Sequence, residues 1–489
     1  MFGAEDFTDW LRVSAHPTST PPVPAWLDVP SDPNDLVDGV WPTDAARDAD
    51  GDLIIGGVTA SALAREYGTP LYVVDEDEVR SHARRAREAF ESAAARHGVA
   101  ARVYYAGKAF LSTEVVRWVT DAGLAVDVAS GGELAVALAA GADPGRIGLH
   151  GNNKSIAELE RAVASGVGSI VVDSFQEIER LAAIVAAAGT VQDVLLRVNS
   201  GVHAETHDFL ATAHEDQKFG FTLADAVRAA ALVRNAEGLR LVGLHCHIGS
   251  QIFGTAGFAE SAARIVSLYA DLLAPSDADA AQDMRVLNLG GGFGIAYTRA
   301  DRPTAIETLA DGIVDAVAAE CAERGVRMPD LAFEPGRAIV GQAGVTLYTV
   351  GTTKAVALEG GLERLYVSVD GGMSDNARPA LYGANYSARL AARVSDAPPQ
   401  LVRVVGKHCE SGDIVVDAEY LPADVEPGDL LAVPATGAYC FSLASNYNFL
   451  PRPAVVAVRD GRARVIVRGE TLDDLLARDA GIPPTERTA

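Results

Sequence analysis

The chain has 489 residues, 48% hydrophobic and 22% charged, which is enough for two or three domains with a substantial core and unlike a disordered composition. Its 41 basic against 66 acidic side chains leave a formal charge of −25, which argues against nucleic acid and anionic membrane as partners, since both need a cationic footprint. The longest apolar run, Leu181 to Val191, is well short of the ~20 residues of a membrane span, the Met1-Phe2-Gly3 start lacks a secretory pattern, and the scattered Cys246, Cys321, Cys409 and Cys440 form no CxxC pair, so a reducing cytoplasm is expected.

Residues 1–50, rich in Pro, Asp, Ser and Thr, read as an extended arm. Residues 51–75 carry a short strand, a helix near Ala60 to Tyr67 and a strand Leu71 to Val74, and are expected to join a β module later in the chain. An amphipathic helix follows from Asp77 to His97. Over residues 76–340 a short apolar strand, a loop and an Ala-rich helical stretch recur, giving strands Arg102–Gly107, Leu124–Ala129, Arg146–Gly151, Ser169–Ser174, Val194–Asn199, Leu241–His247, Val286–Gly290 and Leu331–Glu334. Strands alternating with helices imply parallel βαβ units, and this number suits a closed (β/α)8 TIM-type barrel, the competing arrangement being an open doubly wound sheet. Polar residues favour the barrel: Lys108, Asp127, His150, Asp173, Arg197, His245, His247, Gly290 to Gly292 and Glu334 all fall at C-terminal strand ends, where a barrel would gather them at one mouth. Beyond residue 340 strand signals dominate, with a hairpin turning at Asp460-Gly461, so 341–475 read as a C-terminal all-β domain and 476–489 as a tail.

Several of these residues point to chemistry. Lys108 ends an apolar strand; it is either a solvated surface charge or, if desolvated at a barrel mouth, an amine able to attack a carbonyl. Gly290-Gly291-Gly292 after a strand forms either a tight βα turn or a cradle of N–H groups for a phosphate. Glu334 and Arg337 could be a plain ion pair; alternatively Glu334 could keep a pyridine nitrogen protonated, as an electron-sink cofactor needs. His245 and His247, at i and i+2, could face a metal, but no third ligand is evident; no metal is expected, and His247 is read as a ring-stacking partner with Ser250 toward phosphate. Cys409 is either an inert thiol or, among Lys407, His408, Glu410 and Asp413, a functional one.

Together the motifs Tyr105-Ala106-Gly107-Lys108-Ala109, His245 to Gln251, Gly290 to Gly292, Glu334 to Arg337, Arg378 to Tyr382, Cys409 to Asp413 and Gly437-Ala438-Tyr439 resemble the fold-III pyridoxal-phosphate decarboxylases, in the diaminopimelate branch of actinobacterial type. The likeness spans residues 50 to 470 and implies an alanine-racemase-like barrel with pyridoxal 5′-phosphate as cofactor. It implies that Lys108 bonds the cofactor, that His247 stacks on its ring and that Glu334 meets the ring nitrogen. Ser250, Gly291, Gly292, Gly336, Arg337 and Tyr439 would surround the phosphate, with Asp127 and Arg197 shaping the pocket. For a meso-2,6-diaminopimelate substrate, Arg337, Arg378, Tyr382 and Tyr439 would contact the distal end, with Glu410 on the distal ammonium, and Cys409 would be the acid. The resemblance further implies a homodimer with shared active sites, L-lysine as product, and a loop over Gly201 to Phe221 bordering the site. Decarboxylation of ornithine, arginine or lysine, or a non-catalytic regulatory role, are the competing readings; the first would leave Arg378 without an anion, and the second would be signalled by loss of the lysine or the thiol.

Overall fold

A repeated pairing of a short buried strand with a capped helix builds the larger part of the molecule. The computed structural model describes residues 23–202, 218–273, 284–358 and 361–481. The first four strands are β1 (Ala46–Arg47), β2 (Leu53–Ile55), β3 (Val58–Thr59) and β4 (Leu71–Asp75). Then come β5 (Ala101–Ala106), β6 (Ala125–Val128), β7 (Ile147–Leu149), β8 (Ser169–Val172), β9 (Gln192–Arg197), β10 (Leu239–His245), β11 (Val286–Asn288) and β12 (Asp330–Phe333). These eight are parallel and close into a barrel, β12 returning to β5 with Leu331 opposite Ala101. Parallel strands covered by helices are buried on both faces, so they read as near-continuous apolar runs, as in Ala125–Val128.

Serine starts four successive helices of the barrel. Ser112, Ser130, Ser155 and Ser174 each accept a hydrogen bond from the backbone N–H three residues on, and Ser155 completes a capping box with Glu158. Each cap satisfies a donor the helix cannot, worth about 1 kcal/mol. Ser130 and Ser174 lie two residues beyond β6 and β8, so these helices begin at the C-terminal mouth of the barrel. On the outside, the Glu76–Arg96 helix buries Phe90, which stacks on Phe333 at 3.8 Å and fixes the last strand next to the first helix.

The remaining strands are β13 (Gly344–Ala357), β14 (Glu363–Val369), β15 (Arg389–Leu390), β16 (Pro399–Val405), β17 (Ile414–Pro422), β18 (Leu430–Pro434), β19 (Val455–Arg459) and β20 (Arg462–Val467). They form one sheet in the order β17-β16-β14-β13-β4-β19-β20, with β18 on β13 and β15 on β18. Strand β4, which precedes the barrel, sits between β13 and β19 and is buried at all five positions, as a central strand must be. The chain therefore leaves this sheet, builds the barrel and returns. The β19–β20 hairpin turns at Asp460-Gly461, both at positive φ, as a two-residue turn matching strand twist requires.

The arm expected to run to residue 50 is shorter than its composition suggests. Val40 and Trp41 are buried against Leu53, Ile55, Val73 and Val456, and β1 pairs with β2 in a separate three-stranded sheet with β3. Isolated apolar side chains without periodicity find a core that only the folded sheet supplies. Residues 1–22 and 482–489 lie outside the described residues. No helix among the described residues is long and apolar enough to cross a membrane.

Candidate functional site

The polar strand ends converge. Lys108, in a short turn (Gly107–Ala109) directly after β5, shares a pocket at the barrel mouth with His247, Ser250, Gly291, Gly292, Glu334, Gly336, Arg337 and Tyr439. Lys108 is exposed in this pocket, contrary to the desolvation expected of it, because it lies in the turn beyond the apolar strand. The floor is built for close approach. A Cβ on Gly291 would lie 2.1 Å from the Glu334 carbonyl oxygen, and one on Gly292, at φ +106°, 2.5 Å from that of Gly249. Only glycine fits the backbone at both positions. The Nδ1 of His247 accepts from the Gly291 N–H at 3.3 Å, and burial, with the charges of Lys108 and Arg197, pushes this imidazole well below its usual range. Tyr439 holds a left-handed backbone (φ 62°) pinned by its N–H to the Ala109 carbonyl at 2.8 Å, and its ring lies 4.6 Å from the Arg337 guanidinium.

Glu334 is buried at the bottom of the pocket among nitrogen donors. Asn288 Nδ2 donates to one carboxylate oxygen at 2.6 Å, His150 Nε2 lies 3.3 Å from the same oxygen, and His245 Nε2 lies 3.3 Å from the other. Burial would raise this carboxyl, but the two imidazoles outweigh it and hold it well below the usual carboxylate range. Burial also pushes His150 down to about 3, so at neutral pH it serves Glu334 as an N–H donor and not as a cation. His150 Nε2 is also 3.4 Å from Asp127, whose own carboxyl is pushed well up by burial and by the nearby Glu334 charge. The opposite face of His245, at Nδ1, is buried without a hydrogen-bond partner, which fits the tautomer with its proton on Nε2, toward Glu334.

Two sequence alternatives are resolved by this arrangement. Glu334 and Arg337 are not an ion pair: Arg337 turns away to donate to Ser250 Oγ at 2.8 Å and to the Tyr297 hydroxyl. Nor do His245 and His247 face a common metal; the one metal-compatible grouping among the described residues is His150, His245 and Glu334, where both imidazole Nε2 atoms already face the carboxylate.

Arg378 opens the short Arg378–Tyr382 helix and is buried, donating to the Tyr386 hydroxyl at 2.6 Å with its guanidinium 4.6 Å from the Tyr297 ring. Tyr382, on the same helix, is 66% exposed. Cys409 and Glu410 are exposed in the β16–β17 loop and do not line the pocket that holds Lys108. That loop is firmly based: the Met373 and His408 N–H groups donate to Asp413, and the His408 ring nitrogens meet Ser374 Oγ at 2.8 Å and Asn448 Oδ1 at 3.1 Å. Asp127 and Arg197 do not line the pocket; Arg197 lies 3.9 Å from Asp173 and covers the Phe219 ring. The expected loop over Gly201 to Phe221 falls largely on residues 203–217, outside the described residues.

Sequence reasoning missed Tyr297, Tyr386 and Asn288 as site residues. Asn288 abuts the glycine run and could have been noticed there; the two tyrosines are lone aromatics in loops, with no periodicity to mark them. A larger cavity, about 240 Å³, lies inside the barrel toward its N-terminal end, where the inward residues Gly148, Ser169 and Ala332 are small. Barrels of this type carry their chemistry at the other end, and the Lys108 pocket is taken as the site.

Residues 76–341 match the family model described as "Pyridoxal-dependent decarboxylase, pyridoxal binding domain". Diaminopimelate decarboxylase of Mycobacterium tuberculosis (strain H37Rv) is 53% identical over 444 residues, which is 90% of this chain and 98% of the relative. The enzyme of that name from Bacillus subtilis is 48% identical over 88% of this chain and 95% of its own. Among solved structures, diaminopimelate decarboxylase of M. jannaschii in complex with L-lysine superposes with a TM-score of 0.82 at 31% identity, covering 91% of this chain and 99% of that one.

Proposed function

The chain belongs to the diaminopimelate decarboxylases within the pyridoxal-dependent decarboxylase family, and from that premise we propose that it converts meso-2,6-diaminopimelate to L-lysine and carbon dioxide with pyridoxal 5′-phosphate. The observation that carries this reading is a buried, ionised Glu334 in the same pocket as an accessible Lys108 and a glycine floor that no Cβ could share. These features fit the cofactor: the lysine amine for its aldehyde, Gly291, Gly292, Gly336, Ser250, Arg337 and Tyr439 for its phosphate, His247 for its ring face and Glu334 for its ring nitrogen. Bound there, the cofactor supplies the sink for the electron pair left when the carboxylate departs as carbon dioxide.

The protein's own residues do the rest. Glu334, held as an anion by its three donors, keeps a proton on the ring nitrogen it meets. Arg337, Arg378 and Tyr382 take the substrate's distal carboxylate and Glu410 its distal ammonium, which places the other stereocentre over the pocket. Two parallel guanidinium donors suit a carboxylate, and lysine or ornithine entering as substrate would leave Arg378 unmatched. Cys409 delivers the proton that replaces the lost carboxylate on the substrate carbon. Since Cys409 and Glu410 are exposed and away from the Lys108 pocket of their own subunit, we assign them to the pocket of a second copy, making the working unit a homodimer with shared sites. A thiol that must stay reduced to act fits the cytoplasm.

Carbon dioxide release from meso-diaminopimelate by the cofactor-loaded enzyme, set beside L-lysine, L-ornithine and L-arginine, tests this function. The expected kcat/KM advantage is roughly 30-fold or more, because an unmatched buried guanidinium costs on the order of 2–5 kcal/mol. Equal turnover of ornithine or lysine would overturn the substrate assignment.

A further inference from the structure

Arg337 and Arg378 form an unusual pair. Both are buried, and no carboxylate of a described residue lies within ion-pairing distance of either, whereas most arginines here have an acidic partner. Both guanidiniums are arranged around one aromatic ring, that of Tyr297, at 5.7 Å and 4.6 Å from its centroid. Like charges gathered around one ring away from bulk water repel each other, and an anion received between them would relieve that cost.

Tyr297 is itself immobilised. Its hydroxyl accepts from Arg337, and its N–H and that of Thr298 donate to Asp301 Oδ2 at 2.9 and 2.8 Å. Ser387 Oγ donates to its carbonyl at 3.3 Å, and its ring meets Tyr386 edge-on at 5.1 Å. Tyr386 in turn accepts from Arg378. The tyrosine therefore touches one arginine through its hydroxyl and the other through its ring face, and its backbone is tied on both sides.

We propose that Tyr297 is a specificity-determining positioning residue: its hydroxyl orients Arg337 and its ring orients Arg378, so that the two guanidiniums together receive the substrate's distal carboxylate. This deepens the decarboxylase reading and rests on it. The ring face attracts Arg378 and the hydroxyl holds Arg337 without neutralising either, so both keep their charge for an incoming anion. Cofactor phosphate is the other anion that could occupy the pair, since Arg337 also contacts Ser250. The two sources separate experimentally.

The test compares wild-type, Tyr297→Phe and Tyr297→Leu as cofactor-loaded enzymes. Three quantities are read: the KM for meso-diaminopimelate, kcat, and the affinity of the apoenzyme for pyridoxal 5′-phosphate from its visible absorption. Tyr297→Phe keeps the ring and loses only the hydroxyl; it should raise KM about tenfold with kcat changed less than threefold, the pattern of lost ground-state binding. Tyr297→Leu should raise KM further, and any loss of cofactor affinity, passed on through Arg337 at the phosphate, should stay smaller than the rise in KM in both. A KM for Tyr297→Phe equal to wild type overturns the inference, and so does a loss of cofactor affinity without a KM change, which would hand the pair to the phosphate. Wild-type enzyme inert toward diaminopimelate would instead sink the function itself.

Discussion

At the scale of single residues, the site depends on charges held where water cannot reach them. Asn288 does two jobs with one amide, donating to Glu334 at 2.6 Å and accepting from the Gly290 N–H at 2.9 Å. Replacing it by Ala removes a hydrogen bond to a buried anion and loosens the glycine floor. Since bonds to charged groups contribute roughly 1.5–3 kcal/mol, Asn288→Ala should weaken cofactor binding about 10- to 100-fold in a spectrophotometric titration. Unchanged affinity would mean that the two histidines alone suffice. Lys108→Ala should abolish the visible absorption band of the purified holoenzyme; a band that survives dialysis would assign the cofactor to another lysine. Here the sequence was informative about residue identity and less so about environment. The strand-end position of Lys108 was legible, but its exposure was not, because exposure depends on what the neighbouring strands place beside it. Tyr297 and Tyr386 escaped notice because their importance lies in which arginine they face, a relation between residues far apart in the chain.

At the scale of elements, the barrel was readable because each strand is short and largely apolar and ends in polar residues, with a serine cap opening the helix after each of the first four. The expected strands Val194–Asn199 and Val286–Gly290 each overrun the observed β9 and β11 by two residues at the mouth, where the chain has left the sheet to carry the site. The arm was misread for the opposite reason: Pro-rich composition masked Val40 and Trp41, which pack as single side chains. The turn leading into the Arg378 helix holds a testable feature. Asp375, buried there, accepts from the Gly372 N–H at 2.7 Å and from the Tyr348 hydroxyl, yet burial outweighs both and pushes its carboxyl up to about 7. A carboxyl raised in the folded state favours folding when protonated. Its contribution is therefore full below its ordinary value of 3.8 and is lost as pH rises through about 7, a change of roughly 4 kcal/mol. Asn cannot titrate, so the melting temperature of Asp375→Asn relative to wild type should shift in the variant's favour between pH 4.5 and pH 8. A constant difference over that range would show that Asp375 is ionised throughout.

At the scale of the whole molecule, barrel and sheet are joined by packing and by charge. β4 threads the sheet before the barrel begins, and Glu76, at the start of the next helix, pairs with Arg80 on its own helix and with Arg459 and Arg464 of the β19–β20 hairpin. At the other end of the sheet the β16–β17 loop carries Cys409, which does not line the Lys108 pocket. In the proposed dimer one site would draw on two copies, Lys108 of one and Cys409 of the other. Mixing two inactive variants tests this most directly, because recovery requires the cofactor lysine, the acid, the substrate and the pairing all to be assigned correctly. Each of Lys108→Ala and Cys409→Ala alone should be nearly inert toward meso-diaminopimelate, the second by about 10²–10⁴-fold with its cofactor still bound, the usual loss for a general acid. After subunit exchange, random pairing puts one intact site in half of the dimers. Carbon dioxide release should then return to about a quarter of the wild-type rate; no recovery, with exchange demonstrated, would contradict the shared site.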